Sequence, residues 1–312
     1  MYTSCANCVI IYESEVIFVQ VIWLGHGGLV FVSGKKKILI NPYLSNSLRL
    51  VDKEFRRKIK IKNKLFRIVP DVIILSNSRP EFSDQKTLTK FLNKKSRKKI
   101  TVLACENAYT RLFKSKSFKN ANPIMFGEGD EWTLDTLHIR AVMARCDDTS
   151  AFGLVITDST DNRQYYIASS TLYNEKIFDS LPLEPFAAFL PISGKHGCMN
   201  VTDAIRFACK LDAEFNVPIN YGMFDDIDPT EFKVPGKVFP KPNRAIEFNI
   251  IPVQSVFAPK VFDGKFNERV LKPKPVKIDT PPPFSEGETE LAEIDLDTSP
   301  LPVSHTDTQE QE

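Results

Sequence analysis

Histidine is scarce in this chain, and paired histidine is missing altogether. Only four occur in 312 residues: His26, His138, His196 and His305. There is no H-x-H, H-x-x-x-H or H-x-x-E-H spacing anywhere, the local pairs from which most zinc sites begin. A two-metal hydrolytic site needs roughly five or six imidazole and carboxylate ligands around ions about 3.5–4 Å apart. His305 stands in a polar tail and His138 in a strand-like run. That leaves His26 and His196, 170 residues apart. The sequence therefore argues against a locally built metal centre.

Long apolar runs are also lacking. Residues 9–12 and 16–23 are apolar, but Glu13 and Glu15 interrupt them and no basic residue precedes them. They predict a strand or hairpin rather than a signal peptide or a membrane span. Lys and Arg are absent from residues 278–312, which hold ten acids. The other 29 acids face all 41 bases, so residues 1–277 carry a net charge of +12. Much of that excess falls in two runs, residues 56–64 and 94–99. They read either as solvated faces or as a surface for an anionic ligand or nucleic acid. Neither run contains an aromatic residue, so base stacking has no platform there.

The six cysteines, Cys5, Cys8, Cys105, Cys146, Cys198 and Cys209, are scattered. That usage suggests reduced thiols in an intracellular, cytoplasmic protein. Cys5 and Cys8 have zinc-knuckle spacing without a second pair.

What is present is a succession of short strands. Residues 16–23, 29–32 and 37–41 predict strands, with Ser33-Gly34-Lys35-Lys36 as a hairpin turn. Residues 72–75 and 100–104 are apolar enough for fully buried strands. Leu88, Phe91 and Leu92 have helical spacing, and residues 107–114 predict a second helix. Strands follow at 138–144, 153–157, 164–168 and 187–192. A helix is predicted over 201–211, with Asn200 or Thr202 as its cap, and a last strand over 218–221. The order β-rich, β/α, β-rich, β/α predicts a four-layer αββα sandwich of two mixed β-sheets. Residues 1–267 form the predicted domain. Residues 268–312, Pro-rich then acidic, predict a disordered tail.

Several stretches carry a resemblance. Trp23-Leu24-Gly25-His26-Gly27-Gly28 and Ile38-Leu39-Ile40-Asn41-Pro42-Tyr43-Leu44-Ser45 resemble "W-L-G-H-A-G … I-L-I-D-P-F-L-S". Leu190-Pro191-Ile192-Ser193-Gly194 resembles "L-P-I-G-G", and Met199-Asn200-Val201-Thr202-Asp203-Ala204 resembles "M-T-x-E-E-A". These belong to the L-ascorbate-6-phosphate-lactonase-like branch of the metallo-β-lactamase-fold superfamily, and the similarity runs from about Trp23 to Phe224. It implies that fold and a metal-dependent hydrolase ancestry, with zinc or manganese as the ions.

The same alignment implies that the ligands are gone. The family's Thr-His-x-His-x-Asp-His loop corresponds to residues 76–82. Its three histidines fall at Asn77, Arg79 and Phe82, and its aspartate at Glu81. The next histidine falls near Cys146 or Asp147, the bridging aspartate at Ser170 and the last histidine at Asn220. Even the supporting aspartate of "I-D-P-F" is Asn41. Asn is a poor zinc ligand, Arg has no lone pair to give and Phe has no donor atom. No cofactor is expected on this reading.

The leading expectation is a catalytically inactive, binding or scaffolding member of the fold, with His26, Asn41, Arg79, Lys195 and His196 as a pocket for an unknown protein or an anionic ligand. Arg79 either replaces the metal's positive charge or pairs with Glu81 or Asp84. Two other readings stand beside it. One is a residual hydrolase of phosphoesters or lactones, thiol-based on Cys146 or holding one ion through Cys146, Asp147, Glu81 and His196. The other is an anion or nucleic-acid binder using the basic body, gated by the acidic tail.

Overall fold

The computed structural model describes residues 19–93, 99–114 and 118–248. Cys5, Cys8, most of the 94–99 basic run, the 267/268 boundary, His305 and the acidic tail lie outside those residues.

Among the described residues thirteen strands form two mixed sheets. The first contains β1 (Gln20–Gly25), β2 (Gly28–Ser33), β3 (Lys36–Ile40), β4 (Val72–Leu75), β5 (Ile100–Ala104), β6 (Ala121–Met125) and β13 (Arg244–Ala245). Its order is β13-β1-β2-β3-β4-β5-β6. The second contains β7 (Glu131–Leu134), β8 (Leu137–Met143), β9 (Phe152–Asp158), β10 (Arg163–Ile167), β11 (Ala187–Pro191) and β12 (Phe215–Ile219), in the order β12-β11-β10-β9-β8-β7. Each sheet is antiparallel at one end and parallel at the other, the parallel parts being β3-β4-β5-β6 and β10-β11-β12.

Parallel strands covered on both faces must be apolar throughout. Val72–Leu75 and Ala187–Pro191 are buried at every position. Edge strand β7 instead alternates between exposed and half-buried residues. Among the described residues three α-helices make three of the five parallel crossovers, β4 to β5, β5 to β6 and β11 to β12: α1 (Gln85–Leu92), α2 (Glu106–Phe113) and α3 (Val201–Leu211). The Asp84 side chain caps α1 by accepting from the Lys86 and Thr87 amides. Asn200 caps α3. The sheets meet through large rings, with Phe31 of β2 at 5.5 Å from Tyr165 of β10 and 6.0 Å from Phe189 of β11. Among the described residues no helix is long and apolar enough to cross a membrane.

Strand β13 was not expected from sequence, and strands β6 and β12 differ from the expectation for one reason. Strand β6 carries Pro123, and β12 begins at Phe215 with Pro218 inside it rather than starting at Pro218. Proline removes a ladder donor, which demotes a run in sequence. Both strands end their sheets, where that donor need not pair with a further strand.

The 56–64 run is not uniformly a solvated charge patch. Arg56, Lys58, Lys60 and Lys62 are exposed, while Arg57, Ile59 and Ile61 turn inward. Arg57 donates from Nε to the Ile59 carbonyl at 2.6 Å and from Nη2 to the Leu24 carbonyl at 3.1 Å. Its Nη1 donates to the Tyr43 carbonyl. It is a clamp on backbone oxygens. Arg57→Ala is expected to destabilise the fold by about 2 kcal/mol, and Arg56→Ala by less than about 0.5 kcal/mol, in urea unfolding.

Candidate functional site

The loops at the C-terminal ends of β1, β3, β4, β10, β11 and β12 gather at one end of the sandwich. Several hold left-handed backbone: His26 (φ 52°), Asn41 (φ 45°), Ser169 (φ 59°), His196 (φ 56°) and Asn220 (φ 60°). Non-glycine residues take that region at some cost, so other contacts must hold them there.

At the base is a polar knot around fully buried Asn41. Its Nδ2 donates to Ser76 Oγ at 2.8 Å and to Ser169 Oγ at 3.1 Å. Its Oδ1 accepts from the Ser76 amide at 2.9 Å. The Ser76 and Ser169 hydroxyls also bond to each other.

Above it, Asn77 Nδ2 lies 3.5 Å from Cys146 Sγ. Asn220 Nδ2 donates to the Ser169 carbonyl at 2.9 Å and to Cys198 Sγ at 3.3 Å. Ser170 Oγ is 3.4 Å from the same sulfur. Asn77 thus meets Cys146, and Asn220 and Ser170 meet Cys198, all through neutral polar contacts. Burial pushes the Cys146 and Cys198 thiols up, and Cys105 up to about 11.

Arg79 turns toward carboxylates. Its Nε meets Glu81 Oε1 at 2.8 Å and its Nη1 meets Asp147 Oδ2 at 3.4 Å. Asp84 is occupied by its cap and by Ser47 Oγ at 2.7 Å. One organising acid was not singled out from sequence. Asp148 accepts from the Ser78 amide at 2.7 Å, Asn107 Nδ2 at 2.7 Å and Ser150 Oγ at 2.7 Å. Burial works against its charge, but these bonds, chiefly from Ser78 and Ser150, prevail and hold its carboxyl down at about 2. Asp148-Thr149-Ser150 is a turn signature that could have flagged it.

His26 stands beside this knot. Its carbonyl accepts from Trp23 Nε1 at 2.7 Å and from the Asn220 amide at 3.2 Å. Its ring lies 5.1 Å from Phe82 and 5.4 Å from Phe224, with neither ring nitrogen hydrogen-bonded. Burial lowers its pKa to about 4, outweighing the opposite pull of Glu81 and Asp225. The ring borders a cavity of about 350 Å³, whose lining includes Phe55, Phe82, Lys195, His196 and Phe224. Asn41 and Arg79 lie outside that lining.

Phe82 occupies the space that a larger residue at position 27 would require. A Cβ on Gly27 would sit 2.7 Å from the Phe82 ring and 2.8 Å from Asn220 Oδ1. Gly27→Ala is expected to cost about 2 kcal/mol as an overpacking change. In a double-mutant cycle Phe82→Leu should relieve at least half of that penalty. Equal penalties in both backgrounds would refute the coupling.

The fit of a metal ion to this site can be judged from the donors present. Among the described residues no three His, Cys, Asp or Glu side chains are grouped so as to hold one. Asn77 and Asn220 present amide hydrogens to sulfur and carbonyl oxygen, and Phe82 presents an apolar ring. These residues do not fit a two-ion centre.

No family model matches the chain, and no curated protein does. Solved structures do. Igni18, a metallo hydrolase from the hyperthermophilic archaeon Ignicoccus hospitalis KIN4/I, is 21% identical over 73% of this chain and 97% of its own, with a TM-score of 0.57. Isothiocyanate hydrolase from Delia radicum gut bacteria is 18% identical over 73% of this chain and 99% of its own, TM-score 0.57. The metallo-β-lactamase fold protein YhfI from Bacillus subtilis is 18% identical over 74% of this chain and 100% of its own, TM-score 0.55. With the two mixed sheets, these matches define the chain's architecture as the metallo-β-lactamase fold. At such identities the likeness speaks for the fold alone.

Proposed function

We propose that this chain is a non-hydrolytic binding protein built on the metallo-β-lactamase fold, from its L-ascorbate-6-phosphate-lactonase-like branch, and that it uses the cavity beside His26. One observation carries the reading. The side chains at the positions the resemblance assigns to metal ligands are engaged with one another or with sulfur, backbone and carboxylate partners. An ion needs converging unprotonated donors, and these groups offer few.

The hydrolase alternatives find less support. A thiol nucleophile is activated by a depressed pKa or an adjacent base. Here the Cys146 and Cys198 thiols are pushed up. The His196 ring packs on Phe55 at 5.8 Å. A single ion held by Cys146, Asp147, Glu81 and His196 would have to compete with Arg79, which already engages two of those carboxylates.

Elemental analysis of the purified full-length chain, before and after incubation with zinc, manganese and iron followed by desalting, tests the proposal. No stoichiometric metal is expected. Two retained ions per chain would overturn it.

A further inference from the structure

The cavity beside His26 is walled by rings. Ring centroids run in an arc from His196 to Phe55 at 5.8 Å, Phe55 to Phe224 at 5.6 Å, Phe224 to His26 at 5.4 Å and His26 to Phe82 at 5.1 Å. Aromatic faces carry negative quadrupole density and attract cations.

The charges of the lining point the same way. Three carboxylates border the cavity, those of Glu54, Glu81 and Asp225, against one fixed ammonium, Lys195. The guanidiniums nearby are already paired, and one of those pairs is with Glu81 of the lining. Arg57 is on three backbone carbonyls and Arg79 is on Glu81 and Asp147. Glu81 is only 5% exposed, and Arg79 at 2.8 Å offsets part of its charge.

The third element is His26 itself. It is 8% exposed, borders the cavity, and has no hydrogen-bond partner on either ring nitrogen. Buried polar atoms normally have partners. A neutral imidazole offers one lone pair and one N–H.

We propose that this cavity binds an organic ammonium ion with a compact apolar body, the ammonium N–H groups meeting the Glu81 and Asp225 carboxylates and the free lone pair of His26 while the body rests on Phe55 and Phe224. This deepens the binding reading above and rests on it. The volume suits a small ligand. A carboxylate or phosphate ligand would face three like charges, that of Glu81 offset by Arg79, with Lys195 as the lining ammonium. That reverses the anionic ligand expected from sequence: Lys195 and His196 do line the cavity, but Arg79 is taken up by Glu81 and Asp147.

Calorimetric titration of the full-length protein with three probes of matched shape tests this: 2-phenylethylamine, 2-phenylethanol and 3-phenylpropanoate. The amine should bind at least about tenfold more tightly than the carboxylate. Glu54→Gln alters an exposed turn residue and should weaken the amine about threefold, leaving the alcohol unchanged. Phe55→Ala alters a half-buried ring and should weaken the amine about fivefold. Circular dichroism melts of both variants exclude unfolding as the cause.

Preference for the carboxylate, or amine affinity indifferent to both substitutions, would overturn the ammonium assignment and leave non-hydrolytic binding standing. Absence of heat with all three probes would overturn the cavity assignment. Stoichiometric metal in the separate elemental analysis would remove the underlying reading instead.

Discussion

Lowering the pH from 7 to 4 is expected to cost this protein about 3 kcal/mol through a single side chain, His26. In the unfolded chain its imidazole titrates near 6.5, and in the folded protein burial lowers that to about 4. Between these values the unfolded state takes up a proton that the native state refuses, so stability falls as pH falls. Above about 6.5 both states are neutral and the contribution is constant. Below about 4 both are protonated and the loss levels off. A gap of about 2.5 units corresponds to the quoted energy at about 1.36 kcal/mol per unit.

Asp148 acts in a separate, lower window. Its carboxyl is held at about 2, below its ordinary 3.8, so its contribution is full above 3.8 and lost as pH falls toward 2. Urea unfolding at pH 7, 5.5 and 4 distinguishes the two groups. His26→Asn keeps a residue that tolerates left-handed backbone and should flatten the curve between pH 6.5 and 4 only. An unaltered slope in that variant would show that His26 does not control it.

The second large effect is expected at Asn41. Removing its amide in Asn41→Ala should cost about 4 kcal/mol. Two donors and two acceptors lose their partners in a fully buried site, at about 1–3 kcal/mol for each group left unsatisfied, partly relieved by regrouping of the serines. Alanine at a φ of 45° adds about 1 kcal/mol of backbone cost. Asn41→Gly removes the amide without the backbone penalty and should be about 1 kcal/mol milder than alanine. Equal losses would exclude the backbone component. Losses under about 1 kcal/mol in both would mean the knot does not hold this end of the sandwich together.

Much of the architecture was legible because period and length are local properties. Val72–Leu75 announced a buried strand by an unbroken apolar run and Ile100–Ala104 by one broken only at Thr101, and Leu88, Phe91 and Leu92 announced the α1 face by spacing. Pro123 and Pro218 obscured two strands because whether a strand ends its sheet is decided by topology, not by the strand's own residues. The alternation of Arg57, Ile59 and Ile61 with Arg56, Lys58, Lys60 and Lys62 was visible, but its inward side faces carbonyls of Leu24 and Tyr43 supplied from elsewhere in the chain.

The candidate site divides in the same way. Positions 77, 79, 81, 82, 146, 170 and 220 were reached by resemblance; the Arg79–Glu81 pair was legible at a spacing of two, but several other side chains meet partners that no local pattern announces. Asn220 finds Cys198 and Ser169, and Arg79 finds Asp147 across 68 residues. Phe55 and Phe224 were not singled out as pocket residues at all. Both are recruited by His26 and His196 through ring packing, a relation between distant loops.

The backbone at Asn41, Ser169 and Asn220 keeps its left-handed turns although no ion is needed to explain them, because strand ends and the serine knot hold them in place. Building a two-ion centre into this chain would accordingly begin with aim already set and would be limited by occupancy. The ring of Phe82, packed against position 27, would itself have to give way to a donor side chain alongside imidazoles installed at 77, 79 and 220.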